Sequence, residues 1–163
     1  AHALHAQRLQ YRHGQRRALG GIGARAQLVE QHETSASRPL CYIDDTDHKH
    51  GAVDPALLDE LGISLKAREK APDVIAWDAK RGWLFLMEAA STHGPVDVTR
   101  KNELHELFSE QWDKIVLVSC FPDRKTMQKY LALLAWETEA WCADTPDHMM
   151  HFNGSRFMGP YGE

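Results

Sequence analysis

The stretch PDVIAWDAKRGWLFLMEAA, residues 72–90, decides how this chain is read. Val74 and Ile75 open a short apolar run after Asp73, and Leu84 to Met87 form a second run that ends on Glu88. Between them Ala79, Lys80, Arg81 and Gly82 have the composition of a tight turn, so the two runs read as an antiparallel hairpin. Antiparallel pairing returns the end of the second strand to the start of the first, which brings Asp73 and Glu88 to the same end. A carboxylate at the tip of a buried strand is costly unless it is paired or bound to a metal. Two carboxylates on neighbouring strand ends suit Mg²⁺, which takes few acidic oxygens and leaves its other positions to water and phosphate. Such an ion acidifies water and neutralises charge on a leaving oxygen. A plainer account is also open, in which Asp73 caps a turn after Pro72 and Glu88 pairs with an arginine.

Outward from the hairpin, PLCYID reads as a short strand ending in the acids Asp44, Asp45 and Asp47. DPALLDELGI reads as a short helix, with Asp54 as cap, Pro55 in the first turn and Gly62 at the stop. VTRKNELHELFSEQ has Leu104, Leu107 and Phe108 at helical spacing. KIVLVSCF is apolar almost throughout and reads as a strand buried on both faces. PDRKTMQKYLALLAWETEAW begins as an amphipathic helix with Met127, Tyr130, Leu131 and Leu134 on one side. TEAWCAD is expected to be the last strand, and PDHMMHFNGSRFMGP a closing loop. The order strand–helix–strand–strand–helix–strand–helix–strand predicts an α/β or α+β domain with a mixed sheet.

The 163 residues suffice for one domain with a real core. The net charge of −4 hides an asymmetry: residues 1–38 carry six Arg against Glu30 and Glu33, and the remainder is acidic. The first 38 residues read as a basic tail or the remnant of an upstream region, and residues 39–163 as the domain. The chain opens on Ala1 rather than Met, which fits a fragment. An acidic body is not what simple electrostatics predicts for a nucleic-acid binder, although acids gathered around a cation soften that objection. No apolar run approaches the ~20 residues of a membrane helix, and no basic start with an apolar core marks a signal peptide. Cys41, Cys120 and Cys142 are widely spaced and are expected to be free thiols in the cytoplasm. The ten histidines lack the spacing of a zinc site.

The hairpin, extended to PDVIAWDAKRGWLFLMEAASTHGPV, resembles the catalytic hairpin of the PD-(D/E)XK nuclease superfamily. More narrowly, the chain resembles the C-terminal domain of the BsuBI/PstI family of type II restriction endonucleases. The matching stretches are APDVIAWD, WLFLMEA, HGPVDVTR, FPDRKTMQKYL, AWETEAWCADTPDHMMHFNG and RFMGPY, in order from about residue 42 to 161. The resemblance implies an α/β restriction-endonuclease-like core that uses Mg²⁺ to hydrolyse phosphodiesters of double-stranded DNA at a short palindrome. For the family's named members that palindrome is CTGCAG. It further implies a homodimer, one site per DNA strand, and a cognate DNA methyltransferase that protects the host.

Residue by residue, the resemblance makes Asp73 and Glu88 the metal-holding acids. The family shows Gly-Asp-Thr where this chain has Asp44, Asp45 and Thr46, so Asp45 is a further candidate ligand, with an Asx-turn as its alternative. The superfamily's lysine two residues after the second acid is Ala90 here. Arg100 and Lys101, which open the next helix, are candidates to supply the missing cation, and His93 to donate to phosphate or act as a weak base. The plainer readings make Arg100 a partner for Asp97 and Lys101 a solvated helix residue. Arg124, Lys125 and Thr92 are candidate DNA contacts, beside Asp123 as a helix cap. Family members carry an N-terminal helical domain for DNA recognition, and residues 1–38 do not match its lead-in. Two rival readings follow: a catalytically impaired nuclease-fold module that binds DNA or protein, and a repair or mobile-element nuclease of the same superfamily.

Overall fold

The computed structural model describes residues 40–43, 54–65, 70–90 and 94–155. The expectations for residues 1–38, Asp45, Thr92, His93 and the RFMGPY stretch lie outside the described residues.

Six strands form one mixed sheet in sequence order. They are β1 (Leu40–Ile43), β2 (Val74–Asp78), β3 (Trp83–Ala89), β4 (Ile115–Phe121), β5 (Thr138–Cys142) and β6 (Met149–Phe152). Strands β1, β2 and β3 form an antiparallel meander, β3, β4 and β5 run parallel, and β6 returns antiparallel on β5. The parallel pairs need crossovers, which the helices α2 (Val98–Leu107) and α3 (Arg124–Gln128) supply. A shorter helix, α1 (Pro55–Glu60), lies between β1 and β2. This is the α/β architecture with a mixed sheet expected from the pattern.

Local chemistry explains the boundaries. Asp54 accepts a hydrogen bond from the Leu57 amide at 3.0 Å, and Pro55 fills the first turn of α1 where no N–H is needed. Gly62 takes φ +70°, the left-handed turn that ends the helix. In the β2–β3 turn Gly82 takes φ +69°. The fully buried Asp78 carboxylate closes that turn, accepting from the Arg81 amide at 3.2 Å and its guanidinium at 2.7 Å. The hairpin register follows: Val74 faces Met87, Ile75 faces Leu86 and Asp78 faces Trp83.

Side chains alternate across the sheet. Ile75, Leu84, Leu86 and Leu117 on one face pack with Leu58, Ile63, Val96, Leu104 and Phe108 from α1, α2 and the segments beside them. Each large apolar side chain buried there contributes about 1.5–3 kcal/mol of transfer free energy. Farther along the sheet, Phe121, Ala140 and Cys142 pack with Met127 and Leu134. On the opposite face Val74, Ala76, Phe85, Met87, Val118, Cys120 and Trp141 form a second cluster.

Two expectations are corrected. TEAWCAD is not the last strand: residues 149–152, assigned to a closing loop, pair with β5 as an edge strand, Thr138 opposite Phe152. Their half-exposed MMHF pattern lacks the buried alternation that marks an inner strand. The helix from Arg124 also stops at Gln128 and continues only as a 3₁₀ turn, Leu131–Leu133. Leu131, placed on the apolar side, is 49% exposed, because the chain turns there to bring Leu134 and Ala135 into the core. The Ala135 amide donates to Val96 O at 3.0 Å and its carbonyl accepts from Thr138 Oγ1 at 2.6 Å.

One stability prediction arises at α3. Asp123 caps it through the Thr126 amide at 2.6 Å, and that backbone hydrogen bond holds the carboxyl below its ordinary value. A group whose folded pKa is lowered stabilises above its unfolded pKa and loses the effect as pH falls. Asp123→Ala should therefore cost about 1 kcal/mol at pH 7 in urea unfolding, and the gap to wild type should narrow as pH falls below the ordinary carboxylate range.

Candidate active site

The hairpin turns sequence spacing into a site. Continuing the register one step past Val74 and Met87 sets Asp73 level with Glu88, on the face that carries Ile75 and Leu86. Both acids are buried, Asp73 to 7% exposure and Glu88 to 9%. The Asp73 carboxylate accepts from the Ala89 amide at 2.7 Å, so it lies against the backbone that carries Glu88. The two acids also act together on a neighbour. Cys120, aligned with Ala89 across the β3–β4 pair, has its thiol pushed well above its ordinary pKa, first by burial and then by Asp73 and Glu88.

The cation at this site comes from α2. Arg100 donates to Glu88 Oε1 through Nε at 2.8 Å and through a terminal nitrogen at 2.5 Å. The same guanidinium reaches Ala71 O at 3.2 Å and Glu103 at 3.2 Å. Arg100 thus ties the entry of β2, the exit of β3 and its own helix. Both plainer readings have a counterpart here. Glu88 does pair with an arginine, and Asp97 does bond Arg100, but through the backbone amide at 2.8 Å as the cap of α2.

Lys101 goes elsewhere. Its Nζ donates to Trp136 O at 2.6 Å, so of the two adjacent cations the structure brings Arg100 and not Lys101 to Glu88. Ala90, at the position where the superfamily pattern has lysine, is fully buried among Phe121, Met127 and Leu134. A lysine there would face apolar side chains, where its charged form is disfavoured. Arg124 and Lys125 are exposed at the start of α3, with the Arg124 amide 3.5 Å from an Asp144 oxygen. Cys142 is buried and free, its thiol pushed up to about 12 by burial and then by Asp144 and Asp123.

The donor set fits Mg²⁺: two buried carboxylates on adjacent strand ends, sharing one face, are the hard oxygen ligands that ion takes in small number. Among the described residues no group of three or more His, Cys, Asp or Glu gathers as a metal cage. A separate groove, lined by Trp83, Asp113, Lys114, Glu137, Glu139 and Asn153, lies at the other end of β3 and β4 and contains none of the predicted site residues.

Nothing in the sequence reading singles out Ser119. It is fully buried on β4, register partner of Glu88, and its Oγ accepts from the Val96 amide at 2.9 Å. The available signal was a lone hydroxyl in the apolar run IVLVSCF.

A mixed sheet with an acid-bearing hairpin, crossover helices and a helix-borne cation defines the class: the fold is that of a restriction-endonuclease-type nuclease. Comparison with known proteins agrees. The solved structure of SdaI restriction endonuclease superposes with a TM-score of 0.72 at 39% identity, over 85% of this chain and 46% of that one. Type II restriction enzyme BsuBI from Bacillus subtilis is 46% identical over 122 residues, 75% of this chain and 39% of that protein. Type II restriction enzyme AplI from Arthrospira platensis is 32% identical over 126 residues, 73% of this chain and 39% of that protein. The BsuBI/PstI restriction endonuclease domain matches residues 26–155. The chain belongs to the BsuBI/PstI restriction endonuclease domain family. It spans about two fifths of the length of these curated relatives. Among the described residues no helix is long and apolar enough to cross a membrane.

Proposed function

We propose that this chain is the catalytic domain of a type II restriction endonuclease, a cytoplasmic enzyme that hydrolyses double-stranded DNA at a short palindrome such as CTGCAG. The observation that carries the reading is the register of β2 and β3, which sets buried Asp73 level with buried Glu88 while Arg100 reaches Glu88 from α2. Asp73 and Glu88 would hold Mg²⁺, with Asp45 as a further candidate ligand. When bound, the ion supplies charge neutralisation at the scissile phosphate and a more acidic water.

The chain's own residues do the rest. Asp73, fixed by the Ala89 amide, keeps its carboxylate in one orientation. Arg100 holds Glu88 and presents N–H groups and a permanent charge to a phosphate oxygen, the role the pattern's lysine has elsewhere. Lys101 and His93 remain candidates to assist, and Arg124, Lys125 and Thr92 to contact the DNA backbone. Palindromic cleavage of both strands fits a homodimer, and a methyltransferase partner would protect the host's own sites.

A second reading is favoured by the buried alanine at position 90: a nuclease-fold module that binds DNA and cuts it poorly. Incubating the chain with a mixed-sequence plasmid and Mg²⁺, then mapping the ends, separates the readings. The restriction reading expects discrete fragments with a common palindrome at their ends. Intact plasmid that the chain nevertheless retards in a gel would favour the module, and ends scattered over sequence would favour a repair-type nuclease.

A further inference from the structure

We infer that Ser119 is a positioning residue that sets Arg100 against Glu88, an inference that rests on the nuclease reading above. Ser119 and Glu88 are register partners on parallel β4 and β3, so their side chains share one face of the sheet. The Ser119 hydroxyl is fully buried and accepts the Val96 N–H at 2.9 Å. Val96 is held at its other end too, where its carbonyl accepts from Ala135 at 3.0 Å, and its side chain is buried in the core beside Leu104 and Phe108. The next residue, Asp97, caps α2 by accepting from the Arg100 amide at 2.8 Å. Arg100 then reaches back to Glu88 Oε1.

The contacts form a closed ring: Glu88 to Ser119 across the strand pair, Ser119 to Val96, Val96 through the Asp97 cap to Arg100, and Arg100 to Glu88. Ser119 ties the start of α2 by a hydrogen bond to the strand next to the acid. A helix that starts one hydrogen bond looser shifts the guanidinium it carries, and small misplacements at a catalytic centre cost rate steeply. Apolar packing alone would keep α2 on the sheet without fixing its position along the strands.

The test uses the full 163-residue chain labelled with ¹⁵N and follows the Arg100 Nε–H resonance, assigned by its loss in Arg100→Lys. In wild type this proton, bonded to Glu88, should exchange slowly with solvent. Ser119→Ala should speed its exchange about tenfold, and lower kcat for plasmid cleavage by a similar factor with KM within about twofold. Ser119→Cys, of nearly the same shape but a weaker acceptor, should fall between the two and decides the matter if the alanine variant does not fold. Met127→Ala loosens a different cluster and serves as the control for general destabilisation. Unchanged exchange in folded serine variants, or an equal rise in Met127→Ala, overturns the inference. The exchange measurement needs neither DNA nor metal, so a chain that cuts no DNA would sink the nuclease reading and leave this result standing.

Discussion

Asp73→Asn and Glu88→Gln should each lower Mg²⁺-dependent plasmid cleavage by roughly a thousandfold, while the chain stays folded. The magnitude follows from the several kcal/mol that a correctly held divalent ion contributes to a developing negative charge, with about 1.4 kcal/mol per tenfold in rate. Both substitutions keep shape and remove charge. The structure tells them apart in stability. Asparagine at 73 can still accept the Ala89 amide through its carbonyl oxygen, so the hairpin should hold. Glutamine at 88 leaves the Arg100 guanidinium with a neutral partner in a site only 9% exposed, so it should be the less stable of the two. Cleavage that survives either change at more than about a tenth of wild type would remove that carboxylate from the mechanism.

Arg100→Ala carries the second large effect, and it acts on stability and activity together. Removing the guanidinium takes a charged partner from the buried Glu88 carboxylate and a donor from Ala71 O. Breaking a buried pair from one side costs about 3–5 kcal/mol. The Arg100 side chain keeps 21% exposure, which screens the pair and brings the expected loss nearer about 2 kcal/mol. Lysine should rescue only part of it, since one ammonium cannot make the paired contact to Oε1 and reach Ala71 O as the planar fork does. Replacing both members by apolar residues, Glu88→Leu with Arg100→Met, should return the urea midpoint close to wild type and leave no cleavage. That dissociation would show that the ion pair serves chemistry at the expense of packing. A double variant as unstable as Arg100→Ala alone would mean that Arg100 acts mainly through Ala71 and Glu103.

The hairpin was legible because its signals are local and redundant. Apolar runs of strand length flank a glycine turn, and the acids fall where antiparallel pairing must join them. The caps at Asp54 and Asp123 belong to the same kind, since each depends on residues three positions away. What sequence left open is set by distant contacts. Arg100 and Lys101 are neighbours at the start of one helix, and only the placement of α2 on the sheet sends one to Glu88 and the other to Trp136. That placement depends on Ser119, 23 residues from Val96, which local periodicity cannot see. The early end of α3 has the same origin: Leu131 and Leu133 continue a helical pattern, but β5 must begin beside β4, and the chain leaves the helix to get there. Strand β6 escaped notice because an edge strand with half-exposed side chains carries little of the burial pattern by which strands are recognised.

The central claim is that the carboxylates at 73 and 88 grip one divalent cation. Its most direct test is titration of Mn²⁺ into the full chain, followed by the loss of the free-ion electron paramagnetic resonance signal, with Asp73→Asn as comparison and no DNA present. The account predicts one site in wild type that Mg²⁺ displaces, and binding at least about tenfold weaker in the variant. Equal Mn²⁺ binding by the two proteins, or none by wild type, would contradict it.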